Sequence, residues 1–150
     1  MLLLFLLFRT LLNPFPDKMR FTGLLMCKIY RTDLPPTTNG PPPPPPQAGW
    51  VKINVNAAFK SHSAYFGIIL RNASGSISLA TSVHHSCLDA ITAKCLAILD
   101  AVIILQNHNT KKVIIESDCL NAASFINGSS YNSSWTANPV VDQIKRIRNG

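Results

Sequence analysis

The sequence predicts an α/β domain whose mixed sheet combines a three-strand antiparallel meander with a parallel fourth strand, and three observations carry this. Val51, Ile53, Val55, Ala57 and Phe59 alternate with Lys52, Asn54, Asn56 and Ala58, the period of a half-buried strand. Leu88, Ile91, Cys95, Leu99, Val102 and Ile103 recur at helical spacing. The β-branched run Val113 to Glu116 follows that helix, and a strand–helix–strand order implies a crossover that returns the chain parallel to the first strand.

Each element has its own signal. The alternation over 51–59 turns Asn56 to the face opposite Val55. Ala64 to Arg71 is a second apolar run, and Asn72-Ala73-Ser74-Gly75 supplies turn chemistry before a third run, Ser76 to Val83. Ser86 reads as an N-cap, with Asp89 in a capping-box-like position, for a helix from Cys87 to Gln106. The small residues Ala90, Ala93 and Ala97 suit close packing of that helix on a sheet. Asp118 falls at the carboxyl end of the Val113 to Glu116 strand, where ligands of α/β sheets tend to bind. A short helix, Cys119 to Ile126, stops at Asn127-Gly128, and Asn138 with Pro139 opens a last one, Val140 to Arg148.

Residues 1–48 lack such periodicity and read as an irregular segment ending in a Pro-rich linker, so the folded domain is expected over 49–150. Pro41 to Pro46 favour an extended spacer, with docking to a proline-reading module as the weaker alternative. Met1 to Phe8 is apolar but too short for a span, which needs about 20 residues. It also lacks the basic flank and cleavage site of a signal peptide, which favours an intracellular chain, nuclear or cytoplasmic, over a short exported one. The sequons at Asn72, Asn127 and Asn132 matter only on export.

The net charge of +7 favours polyanions such as nucleic acid without specifying one. Five basic and two acidic residues precede Ala48 and nine and five follow it, so there is no dedicated basic tail. Cys27, Cys87, Cys95 and Cys119 form no CxxC pair and have no histidine at ligand spacing, which argues against structural zinc.

Three segments in order, Ile53-Asn54-Val55-Asn56-Ala57-Ala58-Phe59, Thr92-Ala93-Lys94-Cys95-Leu96-Ala97 and Val113-Ile114-Ile115-Glu116-Ser117-Asp118, resemble the strand, helix and strand that carry the carboxylates of the ribonuclease H family. The Pro-rich lead-in with Gly49-Trp50 resembles its plant retroelement-derived branch, and the resemblance covers the chain from Gly49 onward. It implies the ribonuclease H fold, here without its fifth strand and last helix. It also implies two magnesium ions and hydrolysis of RNA in RNA–DNA hybrids. Two metals about 4 Å apart need hard, negative oxygen ligands.

Carried over residue by residue, the first Asp falls on Asn56, the Glu on Lys94 and the second Asp on Asp118; the family's further acidic residue, in a C-terminal helix, has no counterpart. Three negative charges become zero, and an ammonium repels a metal at close range. The expectation is therefore a degenerate site in which Lys94 pairs with Asp118, magnesium is not held, and hybrid cleavage is lost. The alternative is a non-catalytic module that keeps the fold and uses its basic surface to bind nucleic acid, RNA–DNA hybrid or RNA, or to serve as an interaction module.

Plainer roles stand beside these. Asp118 would cap the helix that follows it, Glu116 would be a solvated strand-end charge, and Asn56 would satisfy neighbouring backbone. His84 and His85 are expected at the surface, and Lys111-Lys112 is a turn pair within reach of phosphate. Without a fifth strand, Val113 to Glu116 is expected to be an unprotected sheet edge prone to self-association.

Overall fold

The computed structural model describes residues 26–31, 44–108, 110–128 and 134–149. Its elements are β1 (Met26–Arg31), β2 (Val51–Lys60), β3 (Ser63–Arg71), β4 (Ile77–Ser86), α1 (Ala90–Asn107), β5 (Lys112–Ser117), α2 (Leu120–Asn127) and α3 (Asn138–Asn149). The apolar run Met1 to Phe8, the start of the proline run and the sequon at Asn132 lie outside the described residues.

The strands form one sheet in the order β1-β5-β2-β3-β4. β2, β3 and β4 are the expected antiparallel meander, with Val55 opposite Ile68 and Phe66 opposite Val83. β5 returns parallel to β2, Ile115 beside Ile53, as the crossover rule requires. Ser61 and His62 turn the first hairpin with φ of 49° and 64°, the left-handed geometry that matches the twist of paired strands. In the second turn the Asn72 side-chain oxygen accepts from the backbone N–H of Ser74 and Ser76 at 3.1 and 3.0 Å.

Alternation sends Ile53, Val55, Ala57, Phe66, Ile68 and Leu70 to one face, where α1 packs and all are buried. Ala93, Ala97 and Ala101 are also buried, so small side chains let the helix approach the sheet, whereas Ala90 at its first position is exposed. Phe125 and Ile126 of α2, with Val141 and Ile144 of α3, complete the core.

Several expectations need correction. The segment through residue 48 is not irregular throughout: Met26–Arg31 pairs in parallel with β5 over six residues, Cys27 beside Val113 and Ile29 beside Ile115. The sheet therefore has a fifth strand, drawn from before the proline run, and β5 is flanked on both sides instead of forming an open edge. Local patterning missed β1 because its partner, β5, is remote in sequence.

β4 runs on to Ser86, which pairs with Ser63, so Ser86 is no cap; Asp89 caps α1 instead, accepting from the Thr92 N–H at 2.8 Å. Cys87 therefore precedes the helix and Leu88 is exposed. Cys119, not Asp118, is the N-cap of α2, without a side-chain bond, and Gly128 at φ 76° ends that helix as expected.

Candidate functional site: a lysine-filled cleft

Register brings the predicted residues together. Parallel pairing sets Asn54 beside Glu116 and Val55 beside Ser117, so the next residues, Asn56 and Asp118, are neighbours where the two strands end. α1 crosses β2 and delivers Lys94 from its second turn. The Lys94 Nζ donates to Asn56 Oδ1 at 2.6 Å and to both carboxylate oxygens of Asp118 at 2.9 Å. All three residues implied by the resemblance thus converge, and an ammonium bridges the other two. Asn56 and Asp118 line a cleft of about 280 Å³ with Asn54, Val55, Gly67, Ile69 and Glu116.

A second cluster in the cleft was not legible in advance. Glu116 is not a solvated charge: Lys52 Nζ lies 3.0 Å from its Oε1, and Asn54 Nδ2 donates to its Oε2 at 2.7 Å. Lys52 also donates to the Pro44 carbonyl at 3.3 Å, tying the end of the proline run to β2. Each carboxylate of the cleft is therefore paired with one lysine; Asn54 also donates directly to Glu116, whereas Asn56 is joined to Asp118 only through Lys94. Lys52 and Glu116 keep only 10% and 16% of their side-chain surface exposed, against 20% and 49% for Lys94 and Asp118. The only available signal was the β2 pattern itself, which puts Lys52, Asn54 and Asn56 on one face.

This donor set does not fit a pair of magnesium ions. The hard oxygens that would ligate a metal, both of Asp118 and the amide oxygen of Asn56, are engaged by Lys94, and the two carboxylates are balanced by two lysines.

Two further polar groups fasten α1. His85, expected at the surface, is instead 2.8 Å from Asp100 through Nε2 and stacks on Phe66, with ring centroids 5.1 Å apart; His84 is exposed, as expected. The signal was Asp100, a lone acid within the apolar stretch of a helix. Asp89 accepts from the Thr92 N–H and hydroxyl and from the Thr136 hydroxyl, linking the start of α1 to the turn before α3. Burial alone would raise the Asp89 carboxyl, but these hydrogen bonds outweigh it and hold the group below its ordinary value. Burial is also the main cause that pushes the Cys95 thiol up to about 12, with Cys119 and Asp89 adding to it.

The profile of the reverse transcriptase-like family matches residues 54–149, from the asparagines of β2 through α3. The chain belongs to that family. No curated protein matches it in sequence. Among solved structures it is similar to RNase H1 from the halophilic archaeon Halobacterium salinarum NRC-1, with a TM-score of 0.62 and 13% identity over 67% of this chain and 77% of that one. It is likewise similar to LC11-RNase H1, isolated from compost and crystallised with an RNA/DNA hybrid, with a TM-score of 0.60 and 15% identity over 65% of this chain and 75% of that one. At such identities the likeness establishes the ribonuclease H-like fold of this reverse transcriptase-like domain.

Proposed function

We propose that this chain is a catalytically silent ribonuclease H-like domain of the retroelement-derived plant branch, which binds RNA–DNA hybrid or RNA without cleaving it. The observation that carries the loss of catalysis is Lys94, whose ammonium is bonded at once to Asn56 and to both oxygens of Asp118. A magnesium ion entering there would have to displace a positive charge already satisfied by three oxygens, and would gain one carboxylate in return. Binding is supported by the net charge of +7 and by the basic last turn of α3, which carries Arg146 and Arg148.

Two measurements on the purified full chain test this reading. Incubation with labelled RNA–DNA hybrid in magnesium is expected to leave the RNA strand intact; efficient metal-dependent cleavage would overturn the loss of catalysis. A mobility-shift titration at several salt concentrations is expected to show binding that weakens steadily with salt, as phosphate contacts require. A chain with no shift at any salt would not be a nucleic-acid-binding module.

A further inference from the structure

The meander has a second face, turned away from α1. Strand register sets Ala58, Tyr65 and His84 in one row across β2, β3 and β4, and Asn56, Gly67 and Ser82 in the next. All six residues are exposed. Tyr65 keeps 62% of its surface in solvent, and its ring centroid lies 4.7 Å from that of His84 with the planes tilted by 40°. The residues around this ring pair are small. At Gly67 even an added β-carbon would meet nothing within 4 Å, so two aromatic rings stand on a low, open floor.

The charge of this face has one sign. Lys52, Lys60 and Arg71 are the Lys, Arg, Asp and Glu residues of β2, β3 and β4 taken together, and alternation puts all three on the open face. Lys52 is balanced by Glu116, but among the described residues Lys60 and Arg71 have no acidic partner, and the Arg71 Nε has no hydrogen-bond acceptor. Two uncompensated cations therefore remain. Lys60 pairs with Ser63 and Arg71 lies eight residues beyond Ser63 on β3, which separates the two by roughly 27 Å at a rise of about 3.4 Å per residue. Tyr65 and His84 fall between them.

A ligand that suits this surface is extended, anionic and carries flat rings that are free to stack. An acidic peptide supplies the charge without a ring at each step, and an apolar partner leaves both cations without anions. Single-stranded nucleic acid supplies phosphates and unstacked bases together, whereas the bases of a duplex are already stacked on one another.

We propose that the open face of the meander is a track for single-stranded nucleic acid, RNA or DNA, in which a base stacks on Tyr65 and His84 while Lys60 and Arg71 hold phosphates to either side. A track of this length takes roughly four to five nucleotides, the lower end of the ~4–16 covered by comparable stacking platforms. Gly67 and Asn56 also line the lysine-filled cleft, so the strand passes along its rim. The proposal rests on the reading of the chain as a nucleic-acid-binding module, and adds the form of nucleic acid and the face that meets it.

The test is a fluorescence-anisotropy titration of the full chain at low salt with labelled oligo-U, labelled oligo-dT and a blunt RNA–DNA hybrid of the same length. Tyr65→Ala removes an exposed ring and is expected to weaken single-strand binding at least about fivefold, to leave hybrid binding within twofold, and to be rescued by Tyr65→Phe. Gly67→Leu fills empty space at an ordinary backbone geometry, so it is expected to unfold at the wild-type temperature and to weaken single-strand binding likewise. Binding of either oligonucleotide with this pattern supports the track and tells which strand it takes. Single-strand affinities that are equal in the wild type and both variants would overturn it, even where hybrid binding holds. A chain that binds none of the three ligands would overturn the nucleic-acid-binding reading as well. Self-association that Tyr65→Ala abolishes, with no single strand bound, would make the face a protein contact and overturn the track.

Discussion

Lys52 and Lys94 each neutralise one carboxylate of the cleft, yet their substitution by Met is expected to have very different consequences. Lys52 and Glu116 are 10% and 16% exposed and sit 3.0 Å apart. Lys52→Met leaves Glu116 charged, largely dehydrated and supported by Asn54 alone, and also removes the donor to the Pro44 carbonyl. Breaking a buried pair in this way costs about 3–5 kcal/mol, and the residual exposure lowers the expectation to about 2–3 kcal/mol.

Lys94→Met uncovers Asp118, which is 49% exposed and is rehydrated, so the cost is expected to stay below about 1 kcal/mol. For a domain of this size the difference corresponds to a fall in Tm of roughly 10–15 °C against less than about 5 °C. Urea unfolding followed by circular dichroism, with both slopes checked for equality, measures it. Adding Glu116→Gln to Lys52→Met is expected to recover much of the loss, because no buried charge is then left unpaired. Costs for the two lysines that agree within about 0.5 kcal/mol would refute the argument from burial.

Four further outcomes follow from the same structure. Because hydrogen bonds hold the Asp89 carboxyl below its ordinary value, its stabilisation is fully present above the unfolded value near ~4 and is lost as the pH falls through the lower folded one. Asp89→Ala is accordingly expected to cost about 1–2 kcal/mol at neutral pH and progressively less in acid, read from urea midpoints between about pH 2 and 7. Asp100→Leu leaves His85 without its partner and is expected to cost about 1–3 kcal/mol, a loss that His85→Phe in the same chain reduces; equal stability of the single and double variants would show the pair to be idle. Cys95, fully buried with its thiol pushed up to about 12, is expected to resist iodoacetamide in the native chain while the partly exposed Cys119 reacts, with the order of labelling read by mass spectrometry. Replacing Ser61-His62 by Asn-Gly suits the positive φ at both positions and is expected to raise stability by about 1 kcal/mol in thermal unfolding.

The legible parts of the fold were those written in local periodicity. A period of two over Val51 to Phe59 and a period near four over Leu88 to Ile103 are set by which face each residue presents, and neighbours within one element are enough to reveal them. The convergence of Asn56, Lys94 and Asp118 also followed from element order, because one crossover fixes which strand ends lie together. What stayed hidden depends on register between distant segments. The Lys52–Glu116 pair needs the alignment of β2 with β5 to the residue, and β1 is a six-residue strand that means nothing until β5 exists to receive it. Even the start of α1 was misplaced for this reason: Ser86 is a fair cap by type, but pairing with Ser63 had already claimed it for β4.

The parallel pairing of β1 with β5 also imposes an order of assembly as the chain is made. Cys27 leaves the ribosome 86 residues ahead of its partner Val113. At synthesis rates of about 5–20 residues per second the strand waits roughly 4–17 s before its partner strand is available. Within that interval β2, β3 and β4 are made and can pair through short turns, whereas β1 has to remain unpaired. Lys28 and Arg31 supply charge within the strand that discourages premature aggregation. The first strand of the sheet in sequence is therefore the last to join it in time, and its docking is the step that completes the sheet.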